Sequence, residues 1–169
     1  MGKAAIVGVG CTRVGEFWDK SLKDLAIEAS LKALDEAGVS RVDALYVGSS
    51  TSQIAQGQGN LGALIADSLG MFGVEAFTVE ASDASGALAL CDASRAIRSG
   101  EANLALVVAV DKLSDVSVSE ASRALMAGVE QDYIAYTGVN LRGLAAILHS
   151  LYRQRYNVRH EDIAAFSVN

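Results

Sequence analysis

Residues 77–100 read Phe-Thr-Val-Glu-Ala-Ser-Asp-Ala-Ser-Gly-Ala-Leu-Ala-Leu-Cys-Asp-Ala-Ser-Arg-Ala-Ile-Arg-Ser-Gly, and this stretch decides the fold. Its first residues predict a short strand over 76–79, and the apolar residues that follow recur at helical spacing up to Gly100, a residue type that ends helices. Ser82 and Asp83 lie between strand and helix, where an N-cap is expected. A side chain there faces free backbone N–H groups and the positive end of the helix dipole, so the sequence predicts a site for anionic chemistry.

The composition is that of one globular domain. A chain of 169 residues, 51% hydrophobic and 20% charged, can bury a single core. A net charge of −6 without a basic stripe excludes nucleic acid as a partner. The longest apolar run, residues 104–110, is too short to cross a membrane, so no membrane partner is expected. Cys11 and Cys91 are the only cysteines and no signal-peptide pattern opens the chain, which predicts a reducing, cytoplasmic location without disulfides.

Strand and helix patterns alternate along the chain. Four apolar runs predict buried strands, over residues 4–9, 42–47, 76–79 and 103–110. Helical patterns lie between them: the first is capped by Ser21 and ended by Gly38, the second begins at Asn60, and the third covers residues 84–98. The predicted fold class is therefore α/β, with a mainly parallel sheet and helices on both faces.

The remaining segments are less regular. Residues 49–59 are polar and rich in Gly and Gln, which predicts a loop, and residues 114–140 have weak periodicity, which predicts an excursion from the sheet. Residues 141–156 have a clear helical pattern, and His160 opens a short turn into the start of a strand at 164–168. Because no linker or repeat interrupts the chain, residues 1–169 are predicted to be a single domain with an excursion at about 114–140.

The motif around Asp83 resembles the nucleophile loop of the thiolase family. In that family an acidic residue and two small residues precede the nucleophilic Cys, and Ala-Ser-Gly follows it. Glu80-Ala81-Ser82 and Ala84-Ser85-Gly86 match this pattern on both sides, while Asp83 stands where the family has Cys. A second run, Val110-Asp111-Lys112-Leu113, is similar to the Val-acid-Lys-Met run of sterol-carrier-type thiolases.

The resemblance covers nearly the whole chain and implies the N-terminal half of a thiolase-like acyl-CoA acetyltransferase of the archaeal or sterol-carrier type. Members of the family catalyse Claisen condensation or thiolysis of acyl-CoA in lipid metabolism, with CoA compounds as substrates and no resident cofactor. They use a Cys nucleophile, an activating His and a second Cys as acid and base, none of which matches a residue of this chain. The resemblance therefore implies a chain that is inactive alone, binds acyl-CoA, and forms a homo-oligomer or a complex with a complementary C-terminal half.

Two alternatives remain open. The chain could be a non-catalytic scaffold or interaction protein that keeps only the fold, or a subunit of a thiolase-like retro-aldolase, which dispenses with the Cys. A downstream sequence with His-x-x-Asn, Gly-His and Cys-x-Gly patterns would favour the acyltransferase over the scaffold, whereas the retro-aldolase would need tyrosines there instead.

Asp83 is the candidate catalytic residue by its position, and an ordinary N-cap Asp is the alternative interpretation. A carboxylate at a helix N-terminus is stabilised rather than activated, so Asp83 is expected to be non-nucleophilic. Ser85 and Gly86 are candidate substrate-binding residues, because a bare turn lets a ligand or backbone approach closely. Tyr133 and Tyr136 are candidates for lining a substrate tunnel, since the equivalent region of the family covers the active site; surface packing is the alternative.

The other reactive side chains are assigned structural roles. Cys91 is predicted to be a buried thiol on an apolar helix face, and Cys11 is either a small filler or an exposed, reactive thiol. Glu80 is predicted to be buried and satisfied by backbone donors. His149 and His160 have no triad or metal-ligand spacing, so no metal is expected.

Overall fold

The structure is a computed structural model that describes residues 3–168, and this part of the chain contains a sheet of three strands where the sequence predicted four. The strands are β1 (Ala44–Gly48), β2 (Glu75–Val79) and β3 (Ala105–Ala109), in the order β2-β1-β3. Strand β1 pairs in parallel with both neighbours, with Gly48 opposite Val79 on one side and Ala109 on the other. The prediction of a parallel sheet is confirmed, and the three strands end at one edge.

Helices precede, connect and follow these strands. In chain order they are α1 (Leu22–Ala37), α2 (Ser52–Ala55), α3 (Leu61–Ser68), α4 (Ser85–Ser99), α5 (Val118–Met126), α6 (Leu141–Tyr156) and α7 (His160–Ala164), with 3-10 turns at Ala135–Thr137 and Ala165–Ser167. The predicted loop over residues 49–59 therefore includes the short helix α2.

The side chains of β1 alternate between two packed faces. Leu45 and Val47, each 0% exposed, join the larger core together with apolar residues of α1, α3 and β3. On the opposite face Ala44 packs with Ala96 of α4, beside Tyr46. The prediction of helices on both faces is confirmed, because a parallel sheet needs cover on both sides.

Local signals set the ends of α1 and α4. Ser21 Oγ accepts a hydrogen bond from Asp24 N at 3.1 Å, and Ser21 N donates to Asp24 Oδ2 at 2.9 Å, forming a capping box. Gly38 ends α1 and Gly100 ends α4, both in the left-handed conformation that glycine adopts without strain. The predicted boundaries at Ser21, Gly38 and Gly100 are confirmed.

The prediction of a buried strand over residues 4–9 is wrong. This segment is extended but pairs with no strand among the described residues, and Ile6 is 72% exposed. It runs along α1 instead: Val9 N donates to Glu36 Oε2 at 2.8 Å, and a Cβ at Gly8 would lie 2.3 Å from Ala33 O. The apolar run pairs with neither edge strand of the described sheet, β2 or β3, and lies against α1 instead.

The chain divides into two compact units, Met1–Gly128 and Val129–Asn169. The segment over residues 114–140, predicted to be an excursion from the sheet, contains α5, which the sequence analysis missed. Ser117 and Glu120 form a capping box at its start, and this Ser-x-x-Glu pattern was a readable signal. The single-domain assignment stays a prediction.

The second unit contains α6, whose predicted helix over residues 141–156 is confirmed. Asn140 caps it by accepting from Gly143 N at 2.9 Å. The predicted start of a strand at 164–168 is wrong, because these residues finish α7 and form the 3-10 turn Ala165–Ser167. Arg159 and Asp162 are hydrogen-bonded to each other at the start of α7, and Ala164 and Ala165 favour helical structure beyond it.

We expect Gly48→Ala to lower the free energy of unfolding by about 1–3 kcal/mol. A Cβ at residue 48 would lie 2.6 Å from Ser85 O and 2.7 Å from Gly86 N, and these backbone atoms move only if α4 moves. Gly15→Ala is the matched control, since a Cβ there meets no atom closer than 3.8 Å. Urea denaturation measures both variants, and equal stabilities would contradict the close contact between β1 and α4.

Candidate functional site

A pocket of about 180 Å³ lies at the edge where the strands end. One wall follows β1, a second follows β2, and a third comes from the end of α5. The lining residues are Ser49, Ser50, Ser52, Gln53, Ile54, Thr78, Glu80, Ser82, Asp83, Ala124, Leu125, Ala127 and Gly128. A second hollow adjoins it and includes Ser85, Gly86 and Asp111 at the ends of α4 and β3. Asp83 borders both, so it lies at the carboxyl edge of the sheet as the sequence predicted.

Ser85 holds the turn between β2 and α4. Its hydroxyl accepts from Ala81 N at 2.9 Å and donates to Ser82 O at 2.6 Å, and the residue is 3% exposed. Ser82 has a φ of 49°, in the left-handed region that non-glycine residues seldom enter, and its N–H donates to Glu80 Oε1 at 2.6 Å. The turn is thus a strained backbone held by specific hydrogen bonds, as at many functional sites.

Asp83 is not the N-cap of α4. The N-cap is Ala84, which makes no side-chain capping bond. Backbone N–H groups at the start of the helix have backbone acceptors instead of a capping side chain. Ala84 N donates to Ala81 O and Ser85 N donates to Ser82 O, each at 3.0 Å. Asp83 is exposed, and within residues 3–168 its carboxylate has no hydrogen-bond or ion-pair partner. Its carboxylate is therefore available to a ligand.

Asp111 ties the end of β3 to the segment that follows β1. Its Oδ1 accepts from Ser49 Oγ at 2.9 Å, from Thr51 N at 2.8 Å and from Thr51 Oγ1 at 2.6 Å, while Ser50 Oγ donates to Oδ2 at 3.0 Å. Desolvation is the largest single influence on the pKa of Asp111 and raises it. The hydrogen bonds from Thr51, Ser50 and Ser49 together outweigh desolvation, so the pKa lies below its ordinary value.

The end of α5 closes the pocket above the turn. Ala124 is buried, and Ala127 and Gly128 present almost no side chain. A Cβ at Gly128 would lie 2.0 Å from Ser82 Oγ, so no side chain fits there unless the Ser82 hydroxyl moves. Small residues on α5 thus leave room for the pocket and limit its size.

The predicted binding residues are placed differently from one another. Ser85 and Gly86 border the second hollow, where a Cβ at Gly86 would lie 2.8 Å from Ala109 Cβ, and their role in substrate binding stays a prediction. Tyr133 and Tyr136 belong to the second unit, where both are exposed. Their role in substrate binding stays a prediction.

Two burial predictions are wrong. Cys91 is exposed, because α4 packs on the sheet through the small residues Ala89, Ala93 and Ala96 rather than through its larger apolar side chains. Glu80 is exposed as well, although it accepts the predicted backbone hydrogen bond from Ser82 N. Cys11 is exposed, which agrees with the second of its two interpretations.

Sequence reasoning missed two groupings. The hydroxyls of residues 49–51 and the Asp111 carboxylate directly follow adjacent parallel strands, and this placement was a signal that they would meet. His149 and His160 also meet, edge to face, with ring centroids 5.6 Å apart. Within residues 3–168, no three side chains of His, Cys, Asp or Glu are grouped so that they could hold a metal ion.

Comparison with known proteins identifies the family. The model of the family described as "Thiolase, N-terminal domain" matches residues 4–169. The chain belongs to the thiolase family. It is 34% identical, over 99% of its length, to the acetyl-CoA acetyltransferase of Methanocaldococcus jannaschii and, over the same share, to that of Methanothermobacter thermautotrophicus. It spans 43% and 44% of those two relatives, so this thiolase-family chain spans less than half the length of the curated relatives it matches.

Solved structures of the same fold give a consistent result. The 3-oxoacyl-(acyl carrier protein) synthase III of Pseudomonas aeruginosa is 31% identical, covers 63% of this chain and matches over 33% of its own chain, with a TM-score of 0.53. An acetyl-CoA acetyltransferase of Syntrophomonas wolfei has a TM-score of 0.51 over 57% of this chain and 26% of its own, and at 24% identity it shows the fold alone. The α/β fold of the thiolase family is therefore shown for this chain.

Among the described helices, none combines the length and the apolar character that a membrane span requires.

We expect Ser85→Ala to lower the free energy of unfolding by about 1–3 kcal/mol, because it leaves Ala81 N without its acceptor inside a partly buried turn. The matched control is Ser68→Ala, which removes a hydroxyl that donates to Leu64 O on an exposed helix surface. Chemical denaturation compares the two. If Ser85→Ala were as stable as the control, its hydroxyl would not hold the turn.

We also expect Asp111 to stabilise the fold in a pH-dependent manner. Because its folded-state pKa is below the ordinary value of 3.8, its contribution is fully present above that value and is lost as the pH falls through the folded-state pKa. The stability difference between the wild type and Asp111→Asn should therefore shrink between about pH 5 and pH 2. Urea denaturation across this range measures it, and a difference that grows towards acid pH would contradict the assignment.

Proposed function

We propose that the chain is the N-terminal half of a thiolase-like acetyl-CoA acetyltransferase in which Asp83 occupies the position of the nucleophile. The observation that carries the proposal is the turn over residues 80–86. Glu80-Ala81-Ser82 and Ala84-Ser85-Gly86 flank residue 83 at the end of β2, beside the pocket and the start of α4. Acyl-CoA is the proposed ligand and no resident cofactor is needed, because the reaction is an acyl transfer between CoA compounds. We place it in cytoplasmic lipid metabolism.

The proposed half is inactive alone. An ionised carboxylate near a helix N-terminus is stabilised by the helix dipole and is a poor acyl acceptor, whereas a Cys at the same place is activated by a lowered pKa. The two thiols of the chain do not line the pocket, since Cys91 lies on the exposed side of α4 and Cys11 precedes α1. A general base contributes about 10²–10⁴-fold to such a reaction. The complementary half is proposed to supply it.

Intact-protein mass spectrometry with acetyl-CoA tests this proposal. We expect the wild type to gain no acetyl group, because neither cysteine of the chain lines the pocket. A stable increment of one acetyl group, mapped to Asp83, Cys11 or Cys91, would show instead that the chain is a working acyl acceptor.

Asp83→Cys should restore a reactive thiol at the pocket. We expect iodoacetamide to alkylate Cys at position 83 faster than in Asp67→Cys, a matched exposed position near the end of α3, because only the former lies at a helix N-terminus. Peptide mapping separates both from Cys11 and Cys91. Thiolysis should stay near background. Equal alkylation rates at positions 83 and 67 would contradict the proposed environment.

We propose that the chain forms a homo-oligomer or binds a complementary C-terminal half. Support comes from exposed apolar side chains, namely Phe77 on the edge strand β2 and Leu90 on α4. Strands β2 and β3 are both edges of the described sheet, and open edges tend to acquire a partner. Light scattering at micromolar concentration, with and without a co-expressed C-terminal half, is the measurement. A monodisperse monomer in both samples would contradict this prediction.

A scaffold function is the second candidate, and the absence of a Cys at position 83 favours it. A scaffold would form the same assembly but would not protect the pocket from alkylation when acyl-CoA is added to Asp83→Cys. Protection by acyl-CoA therefore separates the two functions.

A further inference from the structure

The Asp111 carboxylate is fully occupied by the protein itself. Ser49 Oγ, Ser50 N, Ser50 Oγ, Thr51 N and Thr51 Oγ1 all donate to it, at distances from 2.6 to 3.2 Å. Two carboxylate oxygens offer about four lone-pair positions, so five donors leave none for a ligand. Although Asp111 borders the second hollow, it is therefore unsuited to act as a base or as a ligand contact.

The segment that Asp111 holds is also the wall of the pocket. Ser49 and Ser50 line the pocket, and so do three residues of helix α2, namely Ser52, Gln53 and Ile54. A second contact holds the other end of this segment, where Gln56 Nε2 donates to Lys112 O. Both ends of residues 49–56 are thus hydrogen-bonded to the segment that follows β3, one end to Asp111 and the other to Lys112.

Lys112, which accepts the second of these hydrogen bonds, is itself buried and paired. Lys112 is 5% exposed, and its ammonium group is paired with the carboxylate of Asp115. Helix α2, in the middle of residues 49–56, packs against α5, which supplies the opposite wall. Asp111 is therefore connected to both walls of the pocket, through residues 49–51 on one side and the contact between α2 and α5 on the other.

We propose that Asp111 is the positioning residue of this site, holding residues 49–52 in place as the wall beside Asp83. It acts through the Ser49–Thr51 donors and not on a ligand. The proposal rests on the proposed function only in taking the pocket beside residue 83 as the site.

Asp43 provides a matched control. It lies at the opposite end of the same pair of strands, where its Oδ2 accepts from Asn103 N at 2.8 Å and from Leu104 N at 3.0 Å. Asp43→Asn therefore removes the same charge from the same kind of tie between β1 and β3, away from the pocket.

The first measurement is amide hydrogen exchange by NMR on the full chain. We expect Asp111→Asn to speed exchange at Ser50 N and Thr51 N on the order of tenfold or more, because a charge-assisted acceptor is lost. The strand amides of β1 and β3 should change no more than they do in Asp43→Asn. Unchanged exchange at Ser50 and Thr51, or equal acceleration throughout the strands, would overturn the proposal.

The second measurement reports on the pocket and not on the loop. In an Asp83→Cys background, Asp111→Asn should change the rate of iodoacetamide alkylation at position 83 by about threefold or more, while Asp43→Asn leaves it within the error of the background. The same rate in both double variants would show that the Asp111 contacts do not shape the site. If Asp111→Asn does not fold, Thr51→Val is compared in the same two measurements. It removes the 2.6 Å hydrogen bond from Thr51 Oγ1 to Asp111 Oδ1 and keeps the Asp111 side chain.

The two proposals fail in different ways. If Asp83→Cys alone reacts no faster than Asp67→Cys, the proposed nucleophile position is wrong, and the exchange comparison between Asp111→Asn and Asp43→Asn still decides the role of Asp111.

Discussion

The site depends on how closely α4 approaches the end of β1. Gly48 has no side chain, and the first turn of α4 occupies the space where a Cβ would stand. The alanines along the buried face of α4 continue this close approach over the sheet. Because the helix lies so near, the turn that leads into it must be tight. A tight turn accounts for the left-handed Ser82 and for the hydroxyl of Ser85 inside it.

Features that depend on local chemistry and on the order of the elements could be predicted from the sequence. The helix ends at Gly38 and Gly100 follow from local chemistry, since glycine adopts the required backbone conformation at no steric cost. The order of strands and helices follows from periodicity, and the parallel pairing follows from that order. The position of Asp83 at the sheet edge follows in turn, because parallel strands connected by helices end together.

Features that depend on distant partners could not be predicted in this way. The segment over residues 4–9 has the composition of a strand, but in the structure it contacts α1 and pairs with neither β2 nor β3. The exposure of Cys91 depends on which side of α4 faces the sheet, and a stripe of alanines outcompetes the larger apolar side chains there. The role of Asp111 depends on donors about sixty positions earlier in the chain. The alternative interpretation of Asp83 as an N-cap is wrong, because Ala84 N and Ser85 N donate to backbone carbonyls at the start of α4.

The two aspartates at this edge also differ in how much sequence change the fold would tolerate. The side chain of Asp83 has no hydrogen-bond or ion-pair partner among the described residues, so evolution could replace it without weakening the scaffold. Asp111 accepts hydrogen bonds from three consecutive residues, so an apolar replacement would remove all of these contacts from the scaffold. A scaffold with one unconstrained position inside a constrained frame can exchange the residue at that position while the architecture is inherited intact.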